Sequence, residues 1–256
     1  MQEKQQEWAW QWNKLVDDNK WLFSEWILPN TLEDFRGKSV LDCGCGGGHH
    51  LLFTAPLASE AVGVDLNALE SASRGTKDLK NVSLVEGDIA TMDLKRQFDV
   101  VYSIGVLHHT DDPTASFRNI AKHAKSGGKV IVWVYSFEGN VLNRWLVEPA
   151  KNMLVHHLPR VVVLGLARVL TALVSIPVYT VYLLPLTFLP YYQYFQNWRK
   201  LTFERNVLNV FDKLNAPQTF FIKESQVRDW FRDSDFTDVH ISPYKGVSWR
   251  GSGIRR

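Results

Sequence analysis

Cysteine is scarce in this 256-residue chain: only Cys43 and Cys45 occur, one residue apart. That excludes a disulfide framework and a four-thiolate zinc site, and suits a reducing compartment. No lysine occurs between Lys38 and Lys77, which removes the Gly-Lys-Ser or Gly-Lys-Thr ending of a phosphate-cradling P-loop. Neither sign of charge is in excess, with 29 Lys and Arg against 27 Asp and Glu, so no global field points to nucleic acid. The opening MQEKQQEWAWQW lacks the basic-then-apolar order of a secretory signal, and the expectation is a protein facing the cytoplasm. The pairs His49–His50 and His156–His157 have diverging side chains and no acid at ligand spacing, so no metal site is expected.

What is present begins with VLDCGCGGGHH, from Val40 to His50, a glycine-rich turn behind an apolar run. A dinucleotide fingerprint requires a third glycine where this chain has His49. Short apolar runs then alternate with helical stretches: SVLDC, EAVGVDL, VSLVEGD, FDVVYSI and KVIVWVYS. The pattern predicts an α/β fold with a mostly parallel sheet and helices on both faces. A helix and two strands near the C-terminus provide an antiparallel edge. In such a sheet ligands meet the carboxyl ends of the strands. Acids fall there: Asp42 ends the first strand, Asp65 the second and Asp88 the third. Asp65 lies 23 residues beyond Asp42, where a Rossmann-like fold places the acid that holds a ribose diol. A nucleoside ligand is favoured.

These stretches resemble the class I S-adenosylmethionine-dependent methyltransferases, particularly the small-molecule branch that opens VLDxGCGxG. VLDCGCGGG resembles the first motif, VGVDLN the ribose-binding acid, VEGDIATM the adenine-contacting loop, FDVVYSIGVLHHTDDP the fourth motif and KSGGKVIV the turn into the fifth strand. The resemblance implies a Rossmann-like, seven-stranded sheet and S-adenosyl-L-methionine as cofactor. Its implied cofactor-binding residues are Asp42, Gly44, Cys45, Gly46, Asp65, Leu66, Asp88, Ile89 and Ser103. His108 and His109 follow the fourth strand, where a base for an oxygen acceptor would stand; a packing role suits the same position.

The expected organisation is a tryptophan-rich helical cap over 1–36, a donor-binding core over 37–136, an apolar helical insertion over 137–218 forming an acceptor lid, and a C-terminal helix and strands over 219–256. Within the insertion, Val169 to Trp198 is uncharged and long enough to span a bilayer. Pro177, Pro185 and Pro190 break any single helix there. A pocket wall, peripheral membrane contact through 169–198, and a helical subdomain or dimer interface all remain open. The expected acceptor is a small-molecule, lipid-linked or glycan-precursor compound, methylated on oxygen, with no nucleic acid partner. The alternatives are an RNA methyltransferase and a non-catalytic donor-binding scaffold.

Overall fold

The computed structural model describes residues 10–11, 19–155 and 157–256. Trp8 and Trp12 of the expected cap, and His156, lie outside the described residues. Seven strands make one sheet: β1 (Ser39–Cys43), β2 (Glu60–Asp65), β3 (Val82–Glu86), β4 (Phe98–Ile104), β5 (Ala124–Tyr135), β6 (Phe236–Tyr244) and β7 (Ser248–Arg255). Their order is β3-β2-β1-β4-β5-β7-β6. The first five run parallel, and the antiparallel C-terminal edge is the β6–β7 hairpin laid against β5. The fold is Rossmann-like, as the alternating pattern predicts.

Because side chains alternate across a strand, each central strand feeds two apolar layers. Leu41 and Val101 join Phe117, Trp230 and Phe231 on one face, while Val40, Val100 and Tyr102 join Phe23, Phe35 and Trp133 on the other. Every residue of β1 is buried, which is why Val40 and Leu41 follow one another without the polar alternation of a half-exposed strand. The labelled helices are α1 (Lys20–Trp26), α2 (Leu51–Thr54), α3 (Leu69–Thr76), α4 (Pro113–Lys122), α5 (Arg160–Val178), α6 (Tyr192–Trp198), α7 (Phe203–Asn215) and α8 (Glu224–Trp230). Asp112 caps α4 by accepting from the Thr114 and Ala115 amides, with Pro113 in the first turn; such a cap is worth about 1 kcal/mol. Phe117 of α4 stacks on Trp230 of α8 with centroids 5.0 Å apart. Burying each ring stabilises by about 1.5–3 kcal/mol.

Between β5 and α8 the chain leaves the sheet. There α5 packs Val163 and Ala167 against Val207, Phe211 and Leu214 of α7, and Trp10 lies 5.5 Å from Phe211. Thr202 starts α7 by accepting from the Arg205 amide. These contacts hold α7 above the carboxyl ends of β4 and β5, where its polar side chains meet the central cleft.

Candidate functional site

The cleft, about 270 Å³, opens at the carboxyl ends of the parallel strands. Its floor begins at the turn after β1. Gly44 has φ +84°, and a Cβ there would lie 2.5 Å from a methyl of Val106; only glycine fits this left-handed position without a clash. The turn is held by Asp65, whose Oδ2 accepts from the Gly46 amide at 2.8 Å while Oδ1 accepts from Asn67 and Ala68. Burial raises the Asp65 carboxyl above the usual carboxylate range, although those amides pull the other way.

Of the residues singled out in the sequence, Gly44, Cys45, Asp65, Leu66, Asp88, Ile89 and His109 line the cleft together. Asp42, Gly46, Ser103 and His108 do not line it. Gly46 acts through its amide on Asp65. Ser103 is buried and donates to the Cys43 carbonyl at 2.9 Å, tying β4 to β1. Asp42 is buried beneath the turn; Tyr102 donates to its Oδ2 at 2.9 Å, its Oδ1 has no partner, and burial pushes its carboxyl up to about 8. Burial also raises the thiols of Cys43 and Cys45, which keeps them protonated.

The two histidines have different surroundings. His108 is fully buried, with both ring nitrogens unpartnered, and lies 4.1 Å from the Tyr135 ring. Burial lowers its pKa well below the usual imidazole value, so it is neutral. His109 Nδ1 is 2.9 Å from the carbonyl of Gln218. A carbonyl only accepts, so Nδ1 carries the hydrogen and Nε2 of the neutral ring is the basic nitrogen. Burial also lowers His109. Gln218 returns a bond to the His109 carbonyl and another to Asp111, and the Phe220 amide donates to the His108 carbonyl. The segment after the insertion thus clamps the loop that follows β4.

The far wall carries groups with no motif in the sequence. Trp26 of α1 lies 4.8 Å from Trp133 of β5. Tyr135 donates to Asp212 Oδ2 at 3.1 Å, and Gln11 donates to the other oxygen at 3.0 Å. Arg205 bonds Asn209 on the same helix. Together Trp26, Trp133, Tyr135, Arg205, Asn209 and Asp212 give the cleft a flat aromatic side and a hydrogen-bonding side. A second, mostly apolar chamber of about 340 Å³ adjoins it behind Trp133 and Tyr135. Among the described residues, no group of three or more His, Cys, Asp or Glu is placed to hold a metal ion.

A glycine turn and strand-end acids, set in a sheet of this order, make a Rossmann-like fold with its cleft at the carboxyl ends of the strands. Residues 41–132 match the family model described as a methyltransferase domain. An O-methyltransferase family protein from Burkholderia thailandensis superposes with a TM-score of 0.53, at 14% identity, over 87% of this chain and 52% of that one; this likeness concerns the fold. The tRNA U34 carboxymethyltransferase of Pseudoalteromonas translucida (strain TAC 125) is 30% identical over 132 residues, covering 48% of this chain and 40% of the relative. That of Haemophilus influenzae (strain PittEE) is 28% identical over 156 residues, covering 57% and 47%. The chain spans less than half the length of these curated relatives.

Two expectations are corrected by these relatives. The sequence pointed to a small-molecule, lipid-linked or glycan-precursor acceptor methylated on oxygen, and to no nucleic acid partner; the relatives are named for a tRNA nucleotide. A balanced net charge does not exclude such a partner, because a sum over the whole surface averages away local fields, and a base inside a pocket is read by short-range contacts.

Proposed function

We propose that the chain transfers the sulfonium-borne group of an S-adenosylmethionine-type donor to a base of tRNA. The observation that carries this reading is the match of the donor-binding half to enzymes named for tRNA U34. The far wall of the cleft supports it, because enzymes that modify a base extrude it, stack it on aromatic side chains and read its edge by hydrogen bonds. Trp26, Trp133 and Tyr135 supply rings, and Arg205, Asn209 and Asp212 supply donors and acceptors.

The donor brings an electrophilic carbon on a sulfonium centre. Asp65 would hold its ribose diol, Asp88 and Ile89 its adenine, and the backbone at Gly44 and Cys45 its amino-acid end. The residues fit such a ligand: Gly44, Cys45, Asp65, Asp88 and Ile89 line one cleft together at the strand ends. In-line displacement depends on alignment more than on acid–base chemistry. His109 Nε2 would take the proton of an acceptor N–H or O–H, its tautomer set by the Gln218 carbonyl. Tyr135, tied to Asp212, would fix the plane of the base.

The test is incubation of the purified chain with tRNA and donor labelled on the transferable group, using both methyl and carboxymethyl donors. Label in a nuclease-sensitive fraction supports the reading. Donor binding by calorimetry with no label in RNA from either donor would overturn the acceptor assignment and leave the donor site standing.

A further inference from the structure

Among the described residues, the insertion exposes apolar side chains to a degree that the rest does not. Trp145 is 71% exposed, Val161 73%, Leu173 55%, Ile176 62% and Phe188 79%. Contiguous apolar surface on this scale marks a contact with another phase or partner. The helix α5 accounts for much of it. It is long and apolar enough to cross a membrane by length and composition, yet it buries Val163, Ala167 and Thr171 on the α7 side. In water its opposite face should be polar. That face instead carries Val161, Val162, Val169, Leu173 and Ile176, with Arg168 as the one charge between Arg160 and Val178.

Several polar groups of this region bond within the protein. Thr171, Ser175 and Thr180 each donate to the carbonyl four residues earlier on their own turn. Tyr182 donates to the Pro190 carbonyl, and Arg199 to that of Tyr182. The charge is also one-sided. No Asp or Glu occurs between Glu148 and Glu204, whereas Arg160, Arg168, Arg199 and Lys200 do. Arg168 reaches Glu204 at 2.9 Å, but both partners are exposed, and such a pair is screened and weak.

We infer that the outer face of α5, with the flanking apolar stretches near Trp145 and Phe188, docks peripherally on an anionic lipid surface. An apolar face that enters the acyl boundary, aromatic residues at its edges and basic residues without acids are the features of an interfacial helix. Peripheral docking suits the packing of α5 on α7, which keeps one side of the helix within the protein. A second copy fits less well. A two-fold contact would set two segments that hold Arg160, Arg168, Arg199 and Lys200 and no acid against each other.

The test is co-sedimentation of the full chain with phosphatidylcholine vesicles, with and without phosphatidylglycerol, at low and high salt. Binding should be stronger to the anionic vesicles and should fall with salt. The Leu173→Glu/Ile176→Glu double variant should bind at least about tenfold less, with an unchanged melting temperature because both side chains are exposed. If that variant aggregates, Val169→Ser/Leu173→Ser should show a smaller loss in the same direction. The inference is overturned if the intact chain ignores both vesicles, or binds both equally at all salt concentrations. It is equally overturned if sedimentation equilibrium without lipid shows a dimer that the Leu173→Glu/Ile176→Glu variant dissociates.

Discussion

Tyr102 donates its phenolic hydrogen to Asp42 Oδ2 at 2.9 Å, deep in the sheet beneath the glycine turn. The same hydroxyl lies 3.2 Å from Thr54, so the tip of the fully buried ring is held by two partners. Burial and the Asp42 charge raise the Tyr102 hydroxyl well above its usual range, which keeps it a donor. Burial pushes Asp42 itself up to about 8. This carboxyl is therefore harder to ionise folded than unfolded, and its contribution to stability has a definite sign with pH.

A carboxyl whose pKa rises on folding contributes fully below its unfolded value, near 4, and loses that contribution as pH climbs towards 8. Asp42→Asn keeps an acceptor for Tyr102 and removes the titration. Urea unfolding across pH 5 to 8 should show the variant gaining on the parent with each unit, by about 1.4 kcal/mol per unit at most. A difference independent of pH would show that Asp42 is already ionised in the folded chain.

Asp65 joins β2 to the turn after β1 through its bond from Gly46. Asp65→Ala removes three amide bonds and the acid assigned to the ribose diol. Donor affinity should fall by roughly 1.5–3 kcal/mol, the range for hydrogen bonds to a charged group. Asp65→Asn, which retains one acceptor oxygen, should fall between. Calorimetry showing unchanged affinity in both variants would remove Asp65 from the donor site.

His109 and His108 should separate. His109→Ala should lower turnover by about 10²-fold with donor affinity near normal. Burial lowers the pKa of His109, so the basic form persists below the ordinary 6.5 and the rising limb of the rate profile should lie under that value. His108→Phe should retain fold and turnover, because a ring between Tyr135 and His109 is what that position uses. Loss of turnover from His108→Phe with an intact melting curve would reverse the two assignments.

The donor half was legible because buried parallel strands write themselves as apolar runs and strand ends carry acids. Leu41, Val62 and Val101 announce the sheet, and Asp65 falls at the end of β2, beside the glycine turn. The acceptor half was not legible. Trp133 and Tyr135 sit in KVIVWVYS, which reads as one more strand, and nothing local says that their rings face a cleft. Arg205, Asn209 and Asp212 lie on an ordinary amphipathic helix that reaches the site only through the packing of α7 on α5. Gln218 controls the tautomer of His109 across a separation of 109 residues. The Trp26–Trp133 contact is equally non-local. Long-range contacts of this kind leave no periodic trace.

Tyr135→Phe tests the far wall separately. Removing the hydroxyl takes away the hydrogen bond to Asp212 and leaves the ring for stacking. Donor affinity should stay unchanged, while the KM for RNA rises several-fold and kcat falls less. Asp212→Asn, which retains an acceptor, should be milder. A fall in donor affinity instead would place Tyr135 on the wrong side of the cleft.

The most direct measurement is nucleoside-resolved mass spectrometry of tRNA after incubation with the chain and a sulfonium donor. The account predicts one modified nucleoside, heavier by the mass of the transferred group, formed by the parent chain and reduced about 10²-fold by His109→Ala. An unchanged nucleoside profile, from a chain that binds donor normally and is supplied with both methyl and carboxymethyl donors, would contradict it.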